Sequence, residues 1–128
     1  MSSKEETLPK LPDIVGRTNW LPFRQAGPFI FISGICGTKE DGSAYSDPKE
    51  QLAAAYRNFD AVLEEAGAKR EDVVMFNQYI GDRMYAPECL RLRNKFFESS
   101  FPATNDVVVK LGHPSHFVEL QGVAHLKG

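Results

Sequence analysis

Long apolar runs are missing from this 128-residue chain, and so are paired cysteines, a basic excess and a phosphate-binding glycine loop. Each absence removes a class of protein. With no apolar run near the length of a bilayer span, and no such stretch in the opening Met1-Ser-Ser-Lys-Glu-Glu-Thr, neither a membrane protein nor a signal peptide is expected. The two cysteines, Cys36 and Cys89, lack the close spacing of zinc sites and redox motifs, so both are expected as free thiols in the cytoplasm. Fifteen basic against seventeen acidic side chains leave a net charge of −2, which excludes the electrostatic footprint of a nucleic-acid binder. The local cluster Arg91, Arg93 and Lys95 reads as a solvated helix face. Gly34 and Gly37 lack the longer pattern of a phosphate loop, and no cofactor is expected.

What is present fits one domain with one core: 42% of residues are hydrophobic. Residues 1–13, charged and spaced by Pro9 and Pro12, read as an extended arm, and 14–128 as the domain. Phe29-Ile30-Phe31-Ile32-Ser33 predicts a strand ended by Gly34, and Lys39 to Ser43 a turn. Asp47-Pro48 opens a helix as N-cap and first-turn proline; Leu52, Tyr56, Phe59, Leu63 and Ala66 follow at helical spacing, and Gly67 stops it. A strand over Val73–Ile80 comes next, then a helix from about Pro87 to Ser99 with the stripe Tyr85, Cys89, Leu92 and Phe96. Strands over Asp106–Leu111 and Phe117–Leu126 close the chain. The sum is an α+β layer of two helices on one face of a sheet. The second face is also apolar, because Phe29 and Phe31 alternate with Ile30 and Ile32, so another subunit is expected to cover it.

Alternation in the last strand puts Val118, Leu120, Ala124 and Leu126 on one face and Phe117, Glu119, Gln121, Val123 and His125 on the other. Glu119 is therefore either a desolvated carboxylate suited to proton transfer or a rim glutamate in water. Thr104 and Asp106, two apart, share a face of their own strand; if that face meets Glu119 the site holds two carboxylates, and otherwise Asp106 caps the turn after Pro102. His113, His116 and Glu119 invite a metal reading, but Pro114 and a loop-like spacing predict two exposed histidines and no metal site. Cys36 reads as an inert small core residue, since no motif supplies a histidine partner.

Several short motifs together resemble the Rid family (RidA/YjgF, the reactive-intermediate imine deaminases). Leu21-Pro22-Phe23-Arg24-Gln25-Ala26 is similar to its Gly-Pro-Tyr-x-Gln-Ala/Gly, and Ile32-Ser33-Gly34 to its strand ending in Ser-Gly. Asn58 to Gly67 resembles its Asn-x-x-Ala-x-Leu-x-x-Ala-Gly helix end, and Phe96-Phe97, Phe101-Pro102-Ala103 and Val118-Glu119-Leu120 complete a match over about four fifths of the chain. The resemblance implies a trimer of chorismate-mutase-like subunits with three clefts at the interfaces. It further implies that a tyrosine, an asparagine, a carboxylate-gripping arginine and a glutamate line each cleft. Here those positions hold Phe23, Leu90, Thr104 and Glu119. Losing a guanidinium clamp removes roughly 1.5–3 kcal/mol of charge-assisted binding, which disfavours a small 2-imino acid and favours a larger, aromatic or uncharged substrate.

The expected function is a cofactor-free enzyme acting on an imine, enamine or related reactive intermediate. Glu119, with Asp106, would be its catalytic acid/base, and Phe23, Ser33, Gly34, Leu90, Thr104 and Asn105 would contact the small-molecule substrate. The alternative is a metabolite-binding or protein-protecting homotrimer without catalysis. RNA cleavage, also attributed to the family, is disfavoured by the acidic charge.

Overall fold

The computed structural model describes residues 21–127; the arm expected over 1–13, the start of the domain at 14–20 and residue 128 lie outside the described residues. The described chain runs β1 (Phe23–Ala26), β2 (Phe29–Cys36), α1 (Pro48–Ala66), β3 (Val73–Ile80), α2 (Ala86–Phe97), β4 (Ala103–Val108) and β5 (Val118–His125). The strands form one mixed sheet in the order β1-β2-β5-β3-β4. Only β3 and β4, joined through α2, pair in parallel. Both helices pack on the same face, which is the α+β layer expected.

Local chemistry sets the ends of α1. The Asp47 carboxylate accepts the Glu50 amide at 3.0 Å, Pro48 takes the first turn, and Gly67 closes the helix at φ 78°, where a side chain would be strained. Its buried stripe, with Leu52, Tyr56, Phe59 and Leu63, meets Phe76, Phe96 and Phe97. Phe59 and Phe76 pack edge-on at 5.2 Å, as do Phe76 and Phe97 at 4.9 Å. Each ring buried in this way contributes roughly 1.5–3 kcal/mol.

Several strand limits differ from the sequence reading: β4 ends at Val108, three residues before the expected Leu111, and β5 is one residue shorter at each end. β2 continues past Gly34 to Cys36, because Ser33 and Gly34 form a bulge between Ile32 and Ile35 instead of ending the strand. The Ser33 amide at 2.8 Å and the Ser33 hydroxyl tie that bulge to the carbonyls of Pro22 and Leu21. β4 begins three residues early, since parallel pairing with β3 is available as soon as Pro102 is passed, with Met75 opposite Ala103. β1, not expected, forms by pairing Phe23–Ala26 with β2.

Among the described residues nothing covers the second sheet face. Phe29, Phe31, Met75 and Val107 are 40, 49, 46 and 42% exposed, while Ile30, Phe76 and Leu120 on the helix side are fully buried. Among the described residues no helix is long and apolar enough to cross a membrane.

Candidate functional site

Cross-strand register decides which side chains meet. One row runs Val107, Tyr79, Glu119, Cys36 across β4, β3, β5 and β2, and lies on the uncovered face. The next row runs Asp106, Gln78, Leu120, Ile35; its inner three members are fully buried under the helices. Glu119 and Asp106 therefore stand on opposite faces, and the two-carboxylate pair is not formed within the chain.

Glu119 is partly buried near the start of β5, where the β2 bulge opens space beside it. A Cβ on Gly34 would sit 2.7 Å from the Glu119 carboxyl carbon, so glycine is what lets the carboxylate lie over the bulge. The Cys36 thiol, 3.5 Å from Glu119 Oε1, is the only hydrogen-bond partner of this carboxylate among the described residues. Burial first, then the Glu119 charge and hydrogen bond, push that thiol up to about 12, so it stays a protonated donor and no nucleophile.

The carboxylate opens onto a cavity of about 500 Å³, bordered by Gly34, Cys36, Thr38, His113, His116 and Glu119. Among the described residues no lysine or arginine borders it. His116 is half-buried in the wall, not exposed as its loop spacing suggests, and burial, reinforced by His113, lowers its proton affinity against the opposing pull of Glu119. Its imidazole is therefore neutral near pH 7. Among the described residues no group of three or more His, Cys, Asp or Glu side chains is arranged to hold a metal ion. A second cavity, about 350 Å³, lies between the helices, and in its wall Arg70 pairs with Asp60 at 3.0 Å and stacks on Phe96 at 4.1 Å.

Asp106 is held instead by Gln78 Nε2 at 2.9 Å and by an ion pair with Arg93. That pair corrects the reading of Arg93 as a solvated helix residue. Its side chain is 18% exposed, and its guanidinium also lies 3.4 Å from Thr104 Oγ1. Nothing in the periodicity of α2 signals this reach, because it depends on where β4 docks. Phe23 is fully buried on the helix side, at the β1 edge of the row Phe23, Ile32, Gly122, Phe76, Thr104. Four strand spacings separate Phe23 from Thr104, about 19 Å. Asn105 lies opposite Asn77 on the uncovered face, and Leu90 is on the exposed side of α2.

The sequence profile described as Endoribonuclease L-PSP matches residues 14–126. This chain belongs to the Rid (YjgF/L-PSP) family. A RutC family protein of Aquifex aeolicus is 37% identical over 127 residues, covering 94% of this chain and 98% of that protein. A 2-iminobutanoate/2-iminopropanoate deaminase of Dermatophagoides farinae is 29% identical over 101 residues, 77% of this chain and 79% of its own. RidA from an Antarctic Psychrobacter superposes with a TM-score of 0.81 at 21% identity, covering 98% of both chains, and fixes the fold as that of the Rid, chorismate-mutase-like proteins. In this Rid chain position 104, where the resemblance expects arginine, is a threonine with a guanidinium from α2 beside it.

Proposed function

We propose that this Rid protein is a cofactor-free enzyme that hydrolyses an uncharged or aromatic imine or enamine-derived intermediate, with Glu119 as general acid/base. One observation carries the reading: a partly buried carboxylate, bonded among the described residues only to a thiol, opens onto a cavity of about 500 Å³. A carboxylate so placed can take a proton from water as the water oxygen attacks the C=N carbon. The electron pair of the double bond moves to nitrogen, Glu119 returns the proton there, and a carbinolamine results. The deaminase relative from Dermatophagoides farinae acts on substrates of this chemistry by its name. RNA cleavage fits less well, since among the described residues the cavity wall offers a phosphate no lysine or arginine.

The pocket is half of a site in this reading. Thr104, Asp106 and Leu90 cannot face Glu119 within one chain, whereas the β4 edge of a second copy laid against the uncovered face would bring them to it. A homotrimer with interface clefts meets that need and buries Phe29, Phe31 and Met75. Light scattering should give three times the chain mass, and a monomer in dilute buffer removes the shared cleft.

The chemical test is Glu119→Gln, which keeps size and hydrogen bonding but removes the titrating group. Turnover of benzaldehyde N-methylimine, an uncharged aromatic imine, should fall to background with folding unchanged. Turnover by the variant at the wild-type rate makes Glu119 structural. A folded wild-type trimer that binds small molecules and turns none over would be the metabolite-binding alternative.

A further inference from the structure

The wall of the cavity opposite β2 is the loop that leads into β5, and it is built with more care than a bare wall requires. Gln51 of α1, fully buried, spends its whole amide on this region: Nε2 donates to the carbonyls of Ser115 at 2.9 Å and Tyr45 at 2.8 Å, and Oε1 accepts the Phe117 amide at 2.5 Å. The residue between the two gripped peptide groups is His116. Its backbone amide closes a turn on the His113 carbonyl at 3.0 Å, and its ring rests 5.0 Å from the His113 ring. His113 is itself fixed, for its Nδ1 accepts the Ser115 amide at 3.2 Å and lies 2.7 Å from the Ser115 hydroxyl. Among the described residues neither ring nitrogen of His116 has a hydrogen-bond partner, and the ring borders the same cavity as Glu119. The titratable groups packed about it are His113 from its own loop, Glu119 from β5 and Cys36 from β2.

We propose that His116 is a second proton-transfer residue of this cavity, held over it by the Gln51 clamp, and that it completes the reaction begun at Glu119. The inference rests on the imine-hydrolase reading. After water has added, the carbinolamine must lose its amine. The free nitrogen of His116 takes the hydroxyl proton, the C=O bond forms as the C–N bond breaks, and the electron pair of that bond stays on nitrogen. The imidazolium, made beside the Glu119 carboxylate, passes the same proton to the departing nitrogen. One proton moves from oxygen to nitrogen and no co-reactant is needed. A neutral imidazole suits this step, and the depressed proton affinity of His116 keeps it neutral at pH 7.

The experiment compares wild type, His116→Gln and Glu119→Gln on benzaldehyde N-methylimine across pH, with the His116 ring followed by NMR. For His116→Gln we expect kcat to fall about 100-fold with KM within about threefold, and the loss of rate on the acid side to flatten, since no imidazole remains to be protonated. In the wild type the His116 ring should titrate below the ordinary histidine range, and lower still in Glu119→Gln, which lacks the charge that favours imidazolium. A His116→Gln enzyme with unchanged kcat and pH profile, beside a dead Glu119→Gln, overturns the role of His116 and leaves the functional reading standing. A wild type that does not turn the probe over above background removes both. Should His116→Gln fail to fold, an ordinary titration of His116, unmoved in Glu119→Gln, overturns the proposal.

Discussion

Two carboxylates on neighbouring rows of one sheet, Glu119 and Asp106, are treated oppositely by the fold. Asp106 receives the Arg93 guanidinium and the amide of Gln78. Gln78 is in turn buried and bonded to the Tyr56 hydroxyl at 2.7 Å and the Cys89 carbonyl at 3.3 Å. Its charge is thus tied through a polar chain into the aromatic core. Glu119 has a thiol, a glycine beneath it and a cavity in front. A carboxylate already given strong donors has little left for a substrate, and one given a weak donor keeps its lone pairs free. By donor count Asp106 is the more firmly held of the two and Glu119 the freer, which supports the proposal that Glu119 is the working group.

The two removals should therefore separate cleanly. Glu119→Gln is expected to cost turnover 10²–10⁴-fold, about the range of general acid–base catalysis, while the melting temperature stays put. Asp106→Ala should do the reverse. It strands Arg93 and one amide hydrogen of Gln78, and because the ion pair is about one-fifth exposed the loss of stability should be about 2 kcal/mol in urea unfolding, with turnover within a few-fold. Loss of turnover in Asp106→Ala with no loss of stability would make Asp106 catalytic after all.

A smaller change sharpens the same contrast from the side of the bulge. In Gly34→Ala the new methyl would overlap the Glu119 carboxyl group, at 2.7 Å from its carbon, so the carboxylate must swing aside. Misplacement on the scale of 1 Å costs a reaction roughly 100-fold, and that is the fall expected in kcat/KM. Urea unfolding should register less, because a partly solvated carboxylate can move where a core side chain cannot. Unchanged turnover would show that Glu119 has no fixed position to lose.

The sequence reveals parts of this arrangement whose cause is local. Asp47, Pro48 and Gly67 mark α1 because capping is settled within a few residues, and the faces of β5 follow from alternation alone: Val118, Leu120 and Ala124 are fully buried, and Glu119 is turned away from them. Where the cause is tertiary the signal fails. Alternation says that Thr104 and Asp106 share a face, but not which face β4 presents once it pairs with β3. Nor does it show that a bulge at Ser33-Gly34 carries β2 on to Cys36, or that Arg93 crosses from α2 to β4. His116 is the clearest case. A histidine in a Pro-containing loop reads as solvent-exposed until Gln51, sixty-odd residues earlier, is seen gripping the chain on both sides of it.

The smallest effect expected is at Thr104. Wild type should be nearly inactive on 2-aminoacrylate and its small 2-imino acid tautomers, because a carboxylate needs a desolvated cation and the one nearest position 104, Arg93, is already neutralised by Asp106. Thr104→Arg adds a second guanidinium beside the first. Asp106 can neutralise one of the two, so the other becomes free to hold an anion, but mutual repulsion opposes the gain and Phe23, buried in the core, brings no hydroxyl to orient the imine. Thr104 also faces away from Glu119 in its own chain, so any gain must come through the cleft of a neighbouring copy. We expect a rise of a few-fold, read as the rate of imine loss for both proteins against an unrelated protein as background. Robust turnover by the wild type would mean that Arg93 leaves Asp106 for the substrate; Arg93→Met should then abolish that turnover while sparing the uncharged imine.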